Sequence, residues 1–124
     1  MEGLNELEQA VLDKLLGGDH PILSALRVQA KRVRVVRRKC TGVGFFCDFD
    51  VPQDVPRLTQ KTDFHFGDVT ATVDGLTHGA GFVLFVRNGH LAVLEGYTYD
   101  EPWPQGLHNV ALTYQREPRN LTFT

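Results

Sequence analysis

A chain of 124 residues has room for one hydrophobic core, because two domains of half that size would each lack the volume to stabilise themselves. Apolar residues at 42% and charged residues at 23% are ordinary globular values, which argues against wholesale disorder. The net charge of −2 excludes a globally basic nucleic-acid binder, yet it averages two unequal parts. Lys31, Arg32, Arg34, Arg37, Arg38 and Lys39 hold 6 of the 13 basic residues, leaving 7 basic against 15 acidic elsewhere, a net of −8.

The first element is an amphipathic helix. Leu4, Leu7, Val11, Leu12, Leu15 and Leu16 recur at three- and four-residue spacing, with Glu2, Glu6, Glu8 and Asp13 as first-turn or polar-face residues. Gly17-Gly18 ends it. Asp19 or His20 then caps a second helix with Pro21 in its first turn, running to about Ala30 and burying Ile22, Leu23 and Leu26. From Lys31 the period changes to two. Val33 and Val35 alternate with Arg32 and Arg34, which reads as a strand with a cationic outer face. Thr41-Gly42-Val43-Gly44 is a turn. A second strand alternates Phe45, Cys47, Phe49 and Val51 with Phe46, Asp48 and Asp50 until Pro52 and Pro56 open an irregular stretch.

The second half reads as short strands. One runs from Phe66 to Val73 and is followed by the Asp74-Gly75 turn. Phe82 to Val86 is apolar on both faces and predicts a central strand. Asn88-Gly89 predicts a tight hairpin into a strand from Leu91 to Tyr99. Glu101-Pro102-Trp103-Pro104 is a rigid loop, and Val110 to Gln115 a last strand. The expected architecture is α+β, two N-terminal helices packed on a twisted antiparallel sheet of five or six strands. Residues 1–30 would form the helical hairpin, 31–117 the sheet and 118–124 a polar tail.

Few residues carry a chemical signature. Cys40, Cys47, His20, His65, His78, His90 and His108 are the potential soft metal ligands, but no CxxC, HxH or HExxH spacing joins them, and no motif implies a metal or cofactor. A looser set of Asp63, His65 and His78 has no spacing to support it. The single serine, Ser24, lies in a helix without a nucleophile-elbow context. Cys40 adjoins cations that would favour its thiolate, but no histidine is tied to it. The cluster His78-Gly79-Ala80-Gly81 precedes a strand, whereas a phosphate loop needs a following helix. The acidic N-terminal stretch is unlike a signal peptide, and no run of 18 apolar residues occurs, so the expectation is a cytoplasmic protein with reduced cysteines.

Glu95 is the candidate general acid or base. It stands among aliphatic and aromatic residues that would raise its pKa, with His78 or Arg87 as helpers. The ordinary alternative is a solvated sheet residue. Tyr97, Tyr99, Trp103 and Arg87 form a candidate ligand-binding set at one end of the sheet, where the ordinary role of the aromatics is to close a core. On a regular strand Arg32, Arg34 and Arg38 share a face, a ladder suited to a polyanion. The competing reading is an edge strand protected by charge and paired internally with Asp48 and Asp50, and it makes nucleic acid the weaker partner.

Three stretches, Thr41-Gly42-Val43-Gly44-Phe45-Phe46, His78-Gly79-Ala80-Gly81-Phe82 and Leu94 through Pro104, occur together with the leucine-rich first helix and Gly17-Gly18-Asp19. Jointly they resemble a widespread group of small uncharacterised bacterial proteins with no established activity. The resemblance implies a bacterial, soluble, stand-alone domain and assigns no functional residue. The leading functional expectation is a non-enzymatic binding domain for a partner protein or small ligand, of immunity or regulatory type, using the sheet end formed by His78–Gly81 and Glu95–Trp103. The alternatives are a small hydrolase or isomerase working through Glu95, and nucleic-acid binding through 31–39. An open sheet with two free edges also points to a homodimer.

Overall fold

The structure, a computed structural model, describes residues 3–107 and 109–124; the candidate ligand His108 lies outside the described residues. Helices α1 (Glu6–Leu15) and α2 (Pro21–Ala30) precede strands β1 (Arg34–Cys40), β2 (Gly44–Asp50), β3 (Phe64–Thr72), β4 (Ala80–Arg87), β5 (His90–Thr98) and β6 (Ala111–Tyr114). The six strands form one open antiparallel sheet in the order β1-β2-β5-β4-β3-β6. A β3-β4-β5 meander is its centre. The β1-β2 hairpin docks on β5, and β6 adds at the far edge. Both helices lie on one face, α1 against β3 and α2 against β5. The expected α+β architecture is therefore the observed one.

Local chemistry accounts for the element boundaries. Asn5 caps α1, its side chain accepting from the Glu8 amide at 2.8 Å while Glu8 accepts from the Asn5 amide at 2.9 Å, a reciprocal capping box. His20 caps α2 by accepting from the Ile22 amide at 3.1 Å, with Pro21 behind it. Asn88 and Gly89 have φ of 55° and 79°, the conformation a two-residue hairpin requires. The core is the inner face of the sheet. Cys47, Leu94, Leu84, Phe82, Phe66 and Val69 meet Val11, Leu12, Leu15, Leu23 and Leu26 from the helices.

Two features depart from the sequence expectation. Residues 118–124 are no polar tail. Phe123 packs edge-on against Phe64 and Phe66, the Thr124 amide donates to the His65 carbonyl, and Arg119 lies largely buried. The apolar residues of this segment alternate with polar ones, so average polarity concealed a packed strip. In addition, β1 carries a bulge between Val35 and Arg37. A bulge adds one residue and reverses the alternation beyond it. Arg34 pairs across from Asp50 on the outer face, but Arg38 pairs across from Cys47 on the inner face. Arg32, Arg34 and Arg38 therefore do not form a one-sided ladder.

Candidate functional site

The basic run is largely neutralised within the chain. Arg34 meets Asp50 at 2.7 Å, Arg37 meets Asp48 at 3.3 Å and Arg32 meets Asp54 at 3.6 Å. The first two are the acids the sequence pairs with it. Arg38 turns inward to Glu8, a partner the sequence reading missed, with Nε to Oε2 and Nη2 to Oε1 both at 2.8 Å. Glu8 is only 2% exposed. Burial pushes its pKa up, but the Arg38 hydrogen bonds, the Asn5 amide, the Arg38 charge and the Cys47 thiol together hold it below the usual carboxylate range. Cys47 responds in the opposite sense. Desolvation and then the Glu8 charge raise its thiol to about 12, so it stays protonated and donates to Glu8. A signal for Glu8 was present: it precedes Val11, Leu12 and Leu15 by three, four and seven residues, which places it on the buried stripe.

Beside this pair lies a cavity of about 210 Å³, walled by Leu7, Phe45, Trp103 and Leu107, with Cys40 at its margin. Trp103 stands edge-on to Phe45 at 5.3 Å, and its backbone amide donates to the Gly42 carbonyl. Phe45 in turn lies over Gly96, where its ring occupies the space a Cβ would need. Tyr97 does the same on the other face. A Cβ on Gly81 would meet the Tyr97 ring at 2.6 Å. Gly81 and Gly96 are thus seats for cross-strand aromatic rings.

The structure separates the expected ligand-binding set. Trp103 belongs to the small cavity. Tyr97 lies on the outer face, edge-on to Tyr99 at 5.5 Å, and desolvation followed by its hydrogen bond with Tyr99 raises its pKa to about 12. Arg87 is at the opposite end of the sheet, its guanidinium over the Phe85 ring. Tyr99 alone joins His78. They line an open dish of about 550 Å³ at the sheet end, together with Thr70, Thr72, Asp74 and Asn109. The dish is held by Glu101, whose carboxylate accepts from the Thr77 and His78 amides at 3.0 Å each; these bonds keep its pKa low. Asn109, at φ 53°, donates to Asp74 at 2.6 Å across the dish. The sequence reading singled out neither Asp74 as a binding residue nor Asn109 at all, because β6 and β3 bring them together only in three dimensions.

Glu95 and His78 do not converge. Glu95 sits on the outer face in a cross-strand row with Phe46 and Val83, half-buried, and desolvation raises its pKa. Among the described residues no hydrogen bond or ion pair reaches its carboxylate. His78 is five positions before Val83, at the sheet end. The catalytic pairing is therefore not formed. Asp63 and His65 are also committed elsewhere: Asp63 accepts from the Asn88 amide at 2.8 Å, and the His65 ring packs on Phe85. Among the described residues no three His, Cys, Asp or Glu side chains are grouped to hold a metal. No helix is long and apolar enough to cross a membrane.

No protein-family model matches the chain, and comparison with curated proteins and with solved structures finds no significant match. Any functional reading must therefore come from the surfaces described above.

Proposed function

We propose that this chain is a non-enzymatic binding domain that takes a small polar ligand in the dish at the sheet end. The observation that carries the reading is the lining of that dish. The Tyr99 ring, 40% exposed, stands beside the Asp74–Asn109 pair, His78 and the Thr70 and Thr72 hydroxyls. One exposed aromatic face flanked by donors and acceptors of both kinds is the arrangement a small polar molecule needs for stacking and orientation. The fixed loops also limit the entropy lost on binding. A catalytic role has less support, since the one desolvated acid lies on another surface without a histidine. A polyanion role is weakened by the internal pairing of Arg32, Arg34, Arg37 and Arg38. Two free thiols, Cys40 and Cys47, suit a reducing, cytoplasmic setting.

The test is a titration of isotope-labelled protein with a library of small polar metabolites, read by amide chemical shifts. Shifts clustered at residues 70–80 and 99 are expected, and Tyr99→Ala should weaken such binding about tenfold. Shifts confined to other surfaces, or affinity indifferent to Tyr99, would overturn the proposal.

A further inference from the structure

We infer that the outer face of the sheet binds a second copy of this chain, through a two-fold axis that runs along β2 and passes over Phe46. The helices cover only the inner face, and the outer face is apolar at its centre, with Phe46, Val83, Phe85, Val93 and Tyr97 all half-buried. Two of these already have covers within the chain. Phe85 lies beneath Arg87 and against His65, and Tyr97 rests on Gly81 beside Tyr99. Phe46 has no ring or cation upon it among the described residues.

The choice of occupant rests on charge. Lys39 and Glu95 flank Phe46, directly across from it on β1 and β5 respectively. The other cations of the β1 outer face, Arg34 and Arg37, are paired with Asp50 and Asp48. Lys39 and Glu95 have no partner among the described residues. They lie one strand to either side of Phe46, about 4.8 Å each way. They are not paired with each other across Phe46, and they are symmetric about it. A two-fold axis in the plane between two facing sheets and parallel to β2 exchanges those two positions. Phe46 then meets its own copy. Lys39 of each chain faces Glu95 of the other, across the roughly 10 Å that separates packed sheets. An isologous contact needs a self-complementary patch, and one apolar residue on the axis with opposite charges equidistant from it makes this row one. Any other partner would have to present a cation opposite Glu95 and an anion opposite Lys39 at the same spacing, as a second copy does unaided.

Charge reversal tests this directly. In sedimentation-velocity experiments the wild-type chain should dimerise. K39E and E95K should each be monomeric or weakened more than about tenfold, because each places like charges opposite one another. An equimolar mixture of the two variants should form a heterodimer, and the double variant K39E/E95K should dimerise again. A zero-length carbodiimide cross-linker applied to mixed light and heavy wild-type chains should join Lys39 to Glu95 between chains, a readout independent of how well the variants fold. A wild-type chain that stays monomeric into the millimolar range would overturn the inference. So would single variants that dimerise as the wild type does, which would indicate pairing through a strand edge, and so would a mixture that stays monomeric.

Discussion

Two carboxylates, one on each side of the sheet, show how differently the same chemical group is treated. Glu8 is almost wholly enclosed and accepts from Arg38, the Asn5 amide and the Cys47 thiol. Glu95 is only half-enclosed and has no such donors among the described residues. Depth of burial alone would make Glu8 the perturbed acid with the raised pKa. The reverse holds, because donors aimed at a carboxylate outweigh its desolvation. An enclosed acid with all its donors is a structural joint, whereas a partly enclosed acid without them is a group available to something outside the chain. That contrast moves attention from the inner face to the outer one.

The comparison is broken most forcefully at Arg38. Arg38→Met leaves the Glu8 charge enclosed without its main partner and should cost about 3 kcal/mol in urea unfolding. Glu95→Gln should change stability by less than about 0.5 kcal/mol in the same measurement. Equal losses at the two sites would end the distinction. Next comes Gln29, fully enclosed between α2 and the β4-β5 hairpin, where it donates to the Gly89 and Pro56 carbonyls and accepts from the Leu91 amide. Gln29→Leu leaves the Pro56 carbonyl and the Leu91 amide without this partner, while the Gly89 carbonyl keeps the Leu58 amide, and should cost about 2 kcal/mol.

Effects of the same size or less separate the faces at their glycines. Gly96→Ala drives a methyl into Phe45, which is confined on the inner face beside Trp103. Gly81→Ala meets Tyr97, which can lift toward solvent. The first should cost about 2 kcal/mol and the second about 1, both by thermal unfolding.

The least effect is in pH dependence, and there the two acids have opposite signs. Glu8 has a lowered pKa in the folded chain, so its stabilisation is complete above the unfolded value and is lost as pH falls through the folded one. Glu95 has a raised pKa, so its contribution is complete below the unfolded value and is lost as pH rises through the folded one. Subtracting the stability profiles of Glu8→Gln and Glu95→Gln from the wild type across the acid range should give slopes of opposite sign.

Much of the architecture was legible because it rests on local rules. Helix periodicity, Pro21, the Gly17-Gly18 break and Asn88-Gly89 place α1, α2 and the central hairpin without reference to distant residues. The pairing of the basic strand with Asp48 and Asp50 was legible for the same reason, since a short turn fixes which strands adjoin; that Arg37 rather than Arg38 would face Asp48 was not. What escaped was non-local. A single bulged residue in β1 turned Arg38 from the outer face to Glu8, thirty positions away. The dish needed β3 and β6 to meet before Asp74 and Asn109 could be seen as one site. Tyr97, Tyr99 and Trp103 are close in sequence, but strand alternation sends the first to the outer face and the loop carries the last round to Phe45.

The grip of Arg119 on the far end of the chain bears on the order of folding. Its guanidinium reaches the Leu15 and Gly17 carbonyls across 104 and 102 positions while holding Asp68 through two hydrogen bonds, and the Tyr114 hydroxyl reaches the Lys14 carbonyl. The last turn of α1 is therefore finished by residues made a hundred positions later. During synthesis the Lys14, Leu15 and Gly17 carbonyls go without these donors until β6 and the segment beyond it have emerged. Closure of so long a loop places this chain among slow-folding topologies and makes docking of Arg119 a late step in its maturation.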